Sequence, residues 1–150
     1  MRNPGRVPLL VAAGCSAAVA ALHVGILVMG PPWYRWFGAP SLARQIEAGS
    51  ATVPYLLTLV VAAVFVLWAG YGLSGAGVIG RLPLLRAVLF TIAGIYLLRG
   101  VQVVPEVVAA AQGRIPARFC VFSAFSAFAG AVYLLGVLRR GRVLSPGKGT

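Results

Sequence analysis

Four long apolar stretches, residues 7–29, 54–75, 82–104 and 116–138, take up most of the chain. Each holds about 20 residues, and at about 1.5 Å of rise per residue such a run matches a hydrocarbon layer about 30 Å thick. Inside that layer no water satisfies backbone N–H and C=O groups, so a stretch of this kind crosses it as a helix. The sequence therefore predicts an all-α membrane protein, a bundle of four transmembrane helices forming a single domain over residues 1–150. Composition agrees, because hydrophobic residues make up 60% of the chain and charged residues 10%, against about a quarter charged in soluble domains. The loops that remain are too short to bury a core of their own.

Thirteen basic residues against two acids give a net charge of +11. In a soluble protein that excess would suggest nucleic acid, but such binding needs a solvated basic face. Here the basic residues sit at the ends of the spans, which argues against a nucleic-acid partner. Arg2 and Arg6 precede the first span, Arg81 and Arg86 flank the turn between the second and third, and Arg139, Arg140, Arg142 and Lys148 follow the fourth. Arg35, Arg44, Arg114 and Arg118 lie at the opposite ends, where Glu47 and Glu106 partly offset them. By the positive-inside rule both termini are cytoplasmic and the two longer loops are outside, an N-in/C-in topology. The partner this implies is the lipid bilayer, with the basic C-terminal tail against anionic headgroups.

The run Ala12-Ala13-Gly14-Cys15 looks somewhat like a lipoprotein processing site. The apolar stretch continues well past Cys15, however, and Arg6 lies close before it, so the expectation is an uncleaved first helix. Cys15 and Cys120 fall at depths about 10 Å or more apart on ideal helices, beyond disulfide reach. With no Cys-x-x-Cys pair either, thiol–disulfide chemistry has no support.

The first outer loop, residues 30–53, is the most organised segment between spans. Pro31 and Pro32 stop the first helix, and Trp33, Tyr34, Arg35, Trp36 and Phe37 follow as an expected interfacial anchor, since such rings favour the headgroup layer. Ser41 reads as an N-cap, Gly49 as the residue just past a helix end, and Leu42 with Ile46 as an i, i+4 apolar pair. A short interfacial helix over residues 41–48 follows from these signals. Along the first span Ala13, Ala17, Ala21 and Gly25 recur every fourth position beside Ala12, Ser16 and Ala20, a ridge suited to close helix contact. Val19, Leu22 and Ile26 are left for lipid. In the fourth span Phe119, Phe122, Phe125 and Phe128 drift about 60° per step and so wrap around the helix as packing or lipid-facing rings.

Ionisable residues within the hydrocarbon are costly and mark functional candidates, which here are His23 and Arg99. Both lie in the outer half of their spans. Tyr96, Gln102 and Glu106 share a sector with Arg99 on the third span, and Thr58, Cys120 and Ser123 reach similar depths. If the first and third helices touch, His23, Tyr96, Arg99, Gln102 and Glu106 form an outward-opening polar cup in which the guanidinium suits a carboxylate or phosphate. The plainer readings stand beside this one: Arg99 reaching lipid phosphate or pairing with Glu106 or Glu47, Glu106 serving the dipole of a short helix after Pro105, and His23 making one structural hydrogen bond.

Enzyme signatures are missing: no paired carboxylates in a span, one histidine, no Gly-x-Ser-x-Gly and no phosphate loop. The sequence thus predicts no catalysis, no metal and no cofactor. The run Gly30-Pro31-Pro32-Trp33-Tyr34-Arg35-Trp36-Phe37-Gly38-Ala39, with Leu22-His23 before it and Ala43-Arg44-Gln45-Ile46-Glu47-Ala48-Gly49-Ser50 after it, resembles segments of small uncharacterised four-helix inner-membrane proteins of Gram-negative bacteria. Leu73-Ser74-Gly75-Ala76-Gly77 and Ile95-Tyr96-Leu97-Leu98-Arg99-Gly100 are similar to later segments of that group. The resemblance implies a bacterial inner-membrane location and a fold, and no reaction. The function expected is a binding or accessory module whose cup takes a small anionic or lipid-headgroup ligand. The alternative is a structural subunit packing through the small-residue face of the first span against a membrane-protein partner or its own copy. A small transporter or channel comes third, since the third span offers mainly Thr91 below Tyr96 and the polar path closes.

Overall fold

A computed structural model describes residues 5–140, so Arg2, Arg142 and Lys148 lie outside the described residues. Among the described residues seven helices run in order: α1 (Arg6–Met29), α2 (Pro31–Trp36), α3 (Pro40–Glu47), α4 (Thr52–Ala76), α5 (Leu85–Val101), α6 (Val103–Ala111) and α7 (Arg118–Arg139). No strand occurs among the described residues. Four segments are long and apolar enough to cross a membrane: α1, α4, α5 taken together with α6, and α7. The protein is an all-helical, multi-pass membrane protein.

The third span departs from expectation at both ends. It starts at Leu85 and not Leu82, because Pro83 disfavours helical backbone at the residue before it and Leu84 takes the left-handed conformation, φ 50° and ψ 26°. The segment is pinned by its neighbours. Ser74 Oγ donates to the Gly80 carbonyl at 2.9 Å and accepts from the Leu82 N–H at 3.0 Å, and the Tyr71 hydroxyl donates to the Pro83 carbonyl at 3.3 Å. At the other end helix continues past Val104 to Ala111, broken once at Gln102. Pro105 causes the break, since it has no N–H for the Val101 carbonyl and its ring crowds that oxygen.

Ser41 is not a cap. The short outer helix begins at Pro40, with Ala39 as an N-cap that makes no side-chain bond, because proline's fixed φ suits the first helical position. Its C-terminus closes as the sequence suggests: Gly49, at φ 85°, donates to the Ile46 carbonyl at 3.0 Å and Ser50 to the Gln45 carbonyl at 2.9 Å. This is the Schellman pattern, which needs a left-handed residue and so favours glycine. The same two bonds end α4 at Gly77 and Val78.

Two compact units divide the chain, Ser16–Leu67 being one and the described residues on either side of it the other. In the Ser16–Leu67 unit α2 and α3 fold over an apolar cluster of Ile26, Tyr34 and Ala43, flanked by Leu22, Trp33, Phe37, Leu42 and Ile46. Ile26 is therefore core and not lipid-facing. Ala17 and Ala21, expected to pack, are exposed, while Ala12, Ala13, Ser16 and Ala20 are buried.

In the other unit α5 and α7 run antiparallel in close contact. A methyl group on Gly100 would lie 2.6 Å from Ala127 Cα, and one on Gly130 would lie 2.8 Å from the Leu97 backbone nitrogen. Further along the same layer Leu9 meets Gly75 and Gly136, and Ala13 meets Gly72. Where lipid tails are as apolar as leucine, contact of this kind holds helices together through van der Waals packing. Gly100→Ala should lower the unfolding temperature in detergent, at about 1–3 kcal/mol of overpacking. Gly94→Ala on the same helix, with no neighbour within 4 Å, should be neutral or stabilising by up to about 1 kcal/mol; equal effects at both positions would contradict the packing described.

Candidate functional site

The break that Pro105 imposes leaves Arg99 in the last turn of α5 and Glu106 in the first turn of α6, positions where a cation and an anion respectively suit the helix dipoles. Arg99 Nη1 donates to Glu106 Oε1 at 3.2 Å and also to Ser123 Oγ on α7. Ser123 is fully buried, one turn before the Ala127 that Gly100 receives. The Arg99 side chain remains 45% exposed against 17% for Glu106. Glu106 Oε2 is buried and meets no hydrogen-bond partner among the described residues. Side by side, then, stand a half-exposed guanidinium with a planar fork of donors and a carboxylate oxygen whose burial without a donor costs about 1–3 kcal/mol.

The other sequence candidates have partners of their own. Tyr96 is buried in an aromatic stack, its ring centroid 5.9 Å from that of Tyr133 and 5.2 Å from that of Trp68. Tyr133 fastens the stack by donating its hydroxyl to the Trp68 carbonyl at 3.0 Å. Tyr96 is thus packing one turn beneath Arg99, and its ring does not line a surface. Gln102 is exposed at the helix break, and its carbonyl accepts the Glu106 N–H at 3.0 Å. His23 belongs to the Ser16–Leu67 unit. Its Nδ1 donates to the Val19 carbonyl at 2.8 Å and its ring lies 5.4 Å from Phe65. Thr58 is engaged in the same unit, accepting from the Tyr34 hydroxyl at 2.8 Å and donating to the Pro54 carbonyl at 2.9 Å.

The aromatic anchor also divides. Trp36 is 49% exposed, whereas Tyr34 is 2% exposed and acts as a buried strut toward α4. Trp33 and Phe37 are half-buried beside it. Arg35 pairs with Glu47, so each acid in the chain has an arginine partner. Among the described residues no three His, Cys, Asp or Glu side chains gather as metal ligands.

Arg140 was legible only as a positive-inside charge. In the structure it is buried and donates through Nη1 to the Gly75 carbonyl. It closes the C-terminal end of α4, where unsatisfied carbonyls carry partial negative charge. No periodicity in the sequence marks this role.

Comparison with protein-family models, with curated proteins and with solved structures finds no match. The site is therefore read from its geometry. Tyr96→Ala should cost about 3 kcal/mol or more, as loss of a buried aromatic does. Gln102→Ala, at an exposed position, should cost about 0.5 kcal/mol or less. Thermal unfolding in detergent separates the two classes, and an unchanged Tyr96→Ala protein would return that ring to the candidate site.

Proposed function

We propose that the protein is a binding or accessory module of the bacterial inner membrane, with both termini cytoplasmic, that recognises a phospholipid headgroup at Arg99, Glu106 and Ser123 on the outer side. The observation that carries this reading is the pairing of a half-exposed guanidinium with a buried carboxylate oxygen left without a donor. The pair is neutral as a whole, which favours a ligand carrying both signs: a phosphate for Arg99 and an ammonium for the Glu106 carboxylate, whose side chain is 17% exposed. Phosphoethanolamine has both. Gln102 supplies a further polar edge at the rim.

The charge distribution supports the orientation. Arg6, Arg81, Arg86, Arg139 and Arg140 gather at one set of span ends, while at the other set the two acids each offset an arginine. Pairing sharpens the difference in charge that the positive-inside rule reads. Location in an inner membrane rests on the resemblance of the loop and span segments to small bacterial inner-membrane proteins.

Added phosphatidylethanolamine should raise the unfolding temperature of the detergent-solubilised protein. Arg99→Gln should abolish that rise. Glu106→Ala should instead erase the preference for phosphatidylethanolamine over phosphatidylcholine, whose quaternary nitrogen has no N–H to donate. Equal shifts in wild type and both variants would remove the site from consideration.

A second reading, a structural subunit that packs through α1, is favoured by the exposure of Ala17 and Ala21 and by Gly14, where an added methyl group would meet nothing within 4 Å. Small residues on an open helix face let another helix approach closely. Ala17→Leu and Ala21→Leu should then abolish a crosslinked complex in membranes while leaving insertion intact; crosslinking at wild-type yield would dismiss the subunit reading.

A further inference from the structure

Helix α6, a rod of 9 residues, is set between two points of weakness. At its start Pro105 offers no N–H to the Val101 carbonyl, and the turn tightens instead: Gln102, at φ −60° and ψ −17°, donates its N–H to the Arg99 carbonyl at 3.3 Å. At its far end Gly113 takes φ 70°, where an added methyl group would meet nothing within 4 Å. The Gly113 and Arg114 N–H groups close the helix there on the Ala110 and Ala109 carbonyls, at 2.9 Å each. No residue of α6 is buried, and Val104, Val107 and Val108 are all more than half exposed. A segment with so little burial lies at the low-stability end of a fold, where local opening costs little. Across the break, Arg99 Nη1 ties α5 to α6 through its bond to Glu106 Oε1.

The two partners in that bond are not equally open. Arg99 is 45% exposed along its side chain, whereas Glu106 is 17% exposed and its Oε2 is buried. An anion arriving from outside therefore meets the guanidinium, while an ammonium has no access to the buried oxygen as long as α6 stays in place. We infer that α6 is the gate of the Arg99 site, with Glu106 as its latch and Gln102 and Gly113 as its hinges, and that the site reads its ligand in order, phosphate first and amine second. This rests on the headgroup reading of Arg99 and Glu106 given above. A phosphate competes with Glu106 for the guanidinium and gains by taking two parallel N–H bonds where the carboxylate holds one. Deprived of Arg99, Glu106 is left as an unpaired charge in a partly buried place, which is costly. Turning α6 outward about Gln102 relieves that cost and brings both carboxylate oxygens out to the ammonium. A free amine fails at the first step, since the cationic fork repels it and the latch stays shut. The movement takes place at headgroup level, because the 17 residues of α5 already cover about 26 Å of a hydrocarbon layer about 30 Å thick.

Amide hydrogen exchange of the full chain in dodecyl maltoside, a detergent with neither phosphate nor amine, reads the gate in peptides covering residues 103–111. Added phosphatidic acid or phosphatidylethanolamine should each speed exchange there about two- to fivefold, the worth of one partly exposed ion pair, and ethanolamine alone should not. Glu106→Gln should show the fast rate with no lipid present. Glu106→Gln combined with Pro105→Ala, which restores the missing N–H, should return to the slow rate, a rescue that a general loss of structure would not give. Equal exchange in wild type and Glu106→Gln without lipid, acceleration by ethanolamine alone, or a Glu106→Gln rate that Pro105→Ala leaves unchanged would each overturn the gate. A thermal shift with phosphatidylethanolamine but no change in residues 103–111 would overturn the gate and leave the headgroup reading standing. Release by Glu106→Gln and rescue by Pro105→Ala, with no response of any kind to lipid, would overturn the headgroup reading and the ligand order and leave the latch.

Discussion

Close contact between α5 and α7 is the constraint on which the candidate site depends. Gly100 against Ala127 and Gly130 against Leu97 bring two backbones to a distance that no larger side chain permits. In a bilayer the hydrophobic effect does not press helices together, so this fit must supply the cohesion. Its consequences run along the helix pair. Tyr96 and Tyr133 stack where the backbones are near, and one turn further Ser123 comes under Arg99. The site is thus a by-product of two glycines placed at the right register.

A second constraint, Pro105, sets the chemistry. A straight α5 would carry Arg99 toward the membrane edge as an ordinary snorkelling residue. Breaking the helix at Gln102 starts a new first turn and places Glu106 where an anion is favoured, within hydrogen-bond reach of Arg99. The ion pair makes the guanidinium less costly at depth, since a paired charge in a membrane is far cheaper than a lone one. It also leaves one carboxylate oxygen without a donor.

Much of the fold was legible because bilayer thickness, backbone satisfaction and hydropathy leave few alternatives. The α1 and α7 spans match expectation to within about two residues, the ordinary uncertainty of helix ends. The helix end at Gly49 was legible because a left-handed residue has a local chemical signature. What was not legible depends on tertiary contact. Ala17 and Ala13 both read as ridge residues, and only packing reveals that Ala13 is buried and Ala17 is not. Tyr34 and Trp36 looked alike as interfacial aromatics, yet Thr58, 24 residues away, captures the Tyr34 hydroxyl. Tyr96 shared a helical sector with Arg99, but helical periodicity cannot tell a rim from the stack beneath it.

The bond from Arg140 to the Gly75 carbonyl joins residues 65 apart in sequence, and Leu9 sits between Gly75 and Gly136 in the same layer. During synthesis α1 and α4 enter the bilayer well before α7 leaves the ribosome, so both wait with incomplete surfaces. The carbonyl end of α4 is sealed, and the start of α1 enclosed, only when α7 arrives. The contact of Ala13 with Gly72 can form first, and those of Leu9 with Gly136 and Arg140 with Gly75 complete the unit last. A chain ending before α7 would leave the Gly75 carbonyl and Leu9 without these partners.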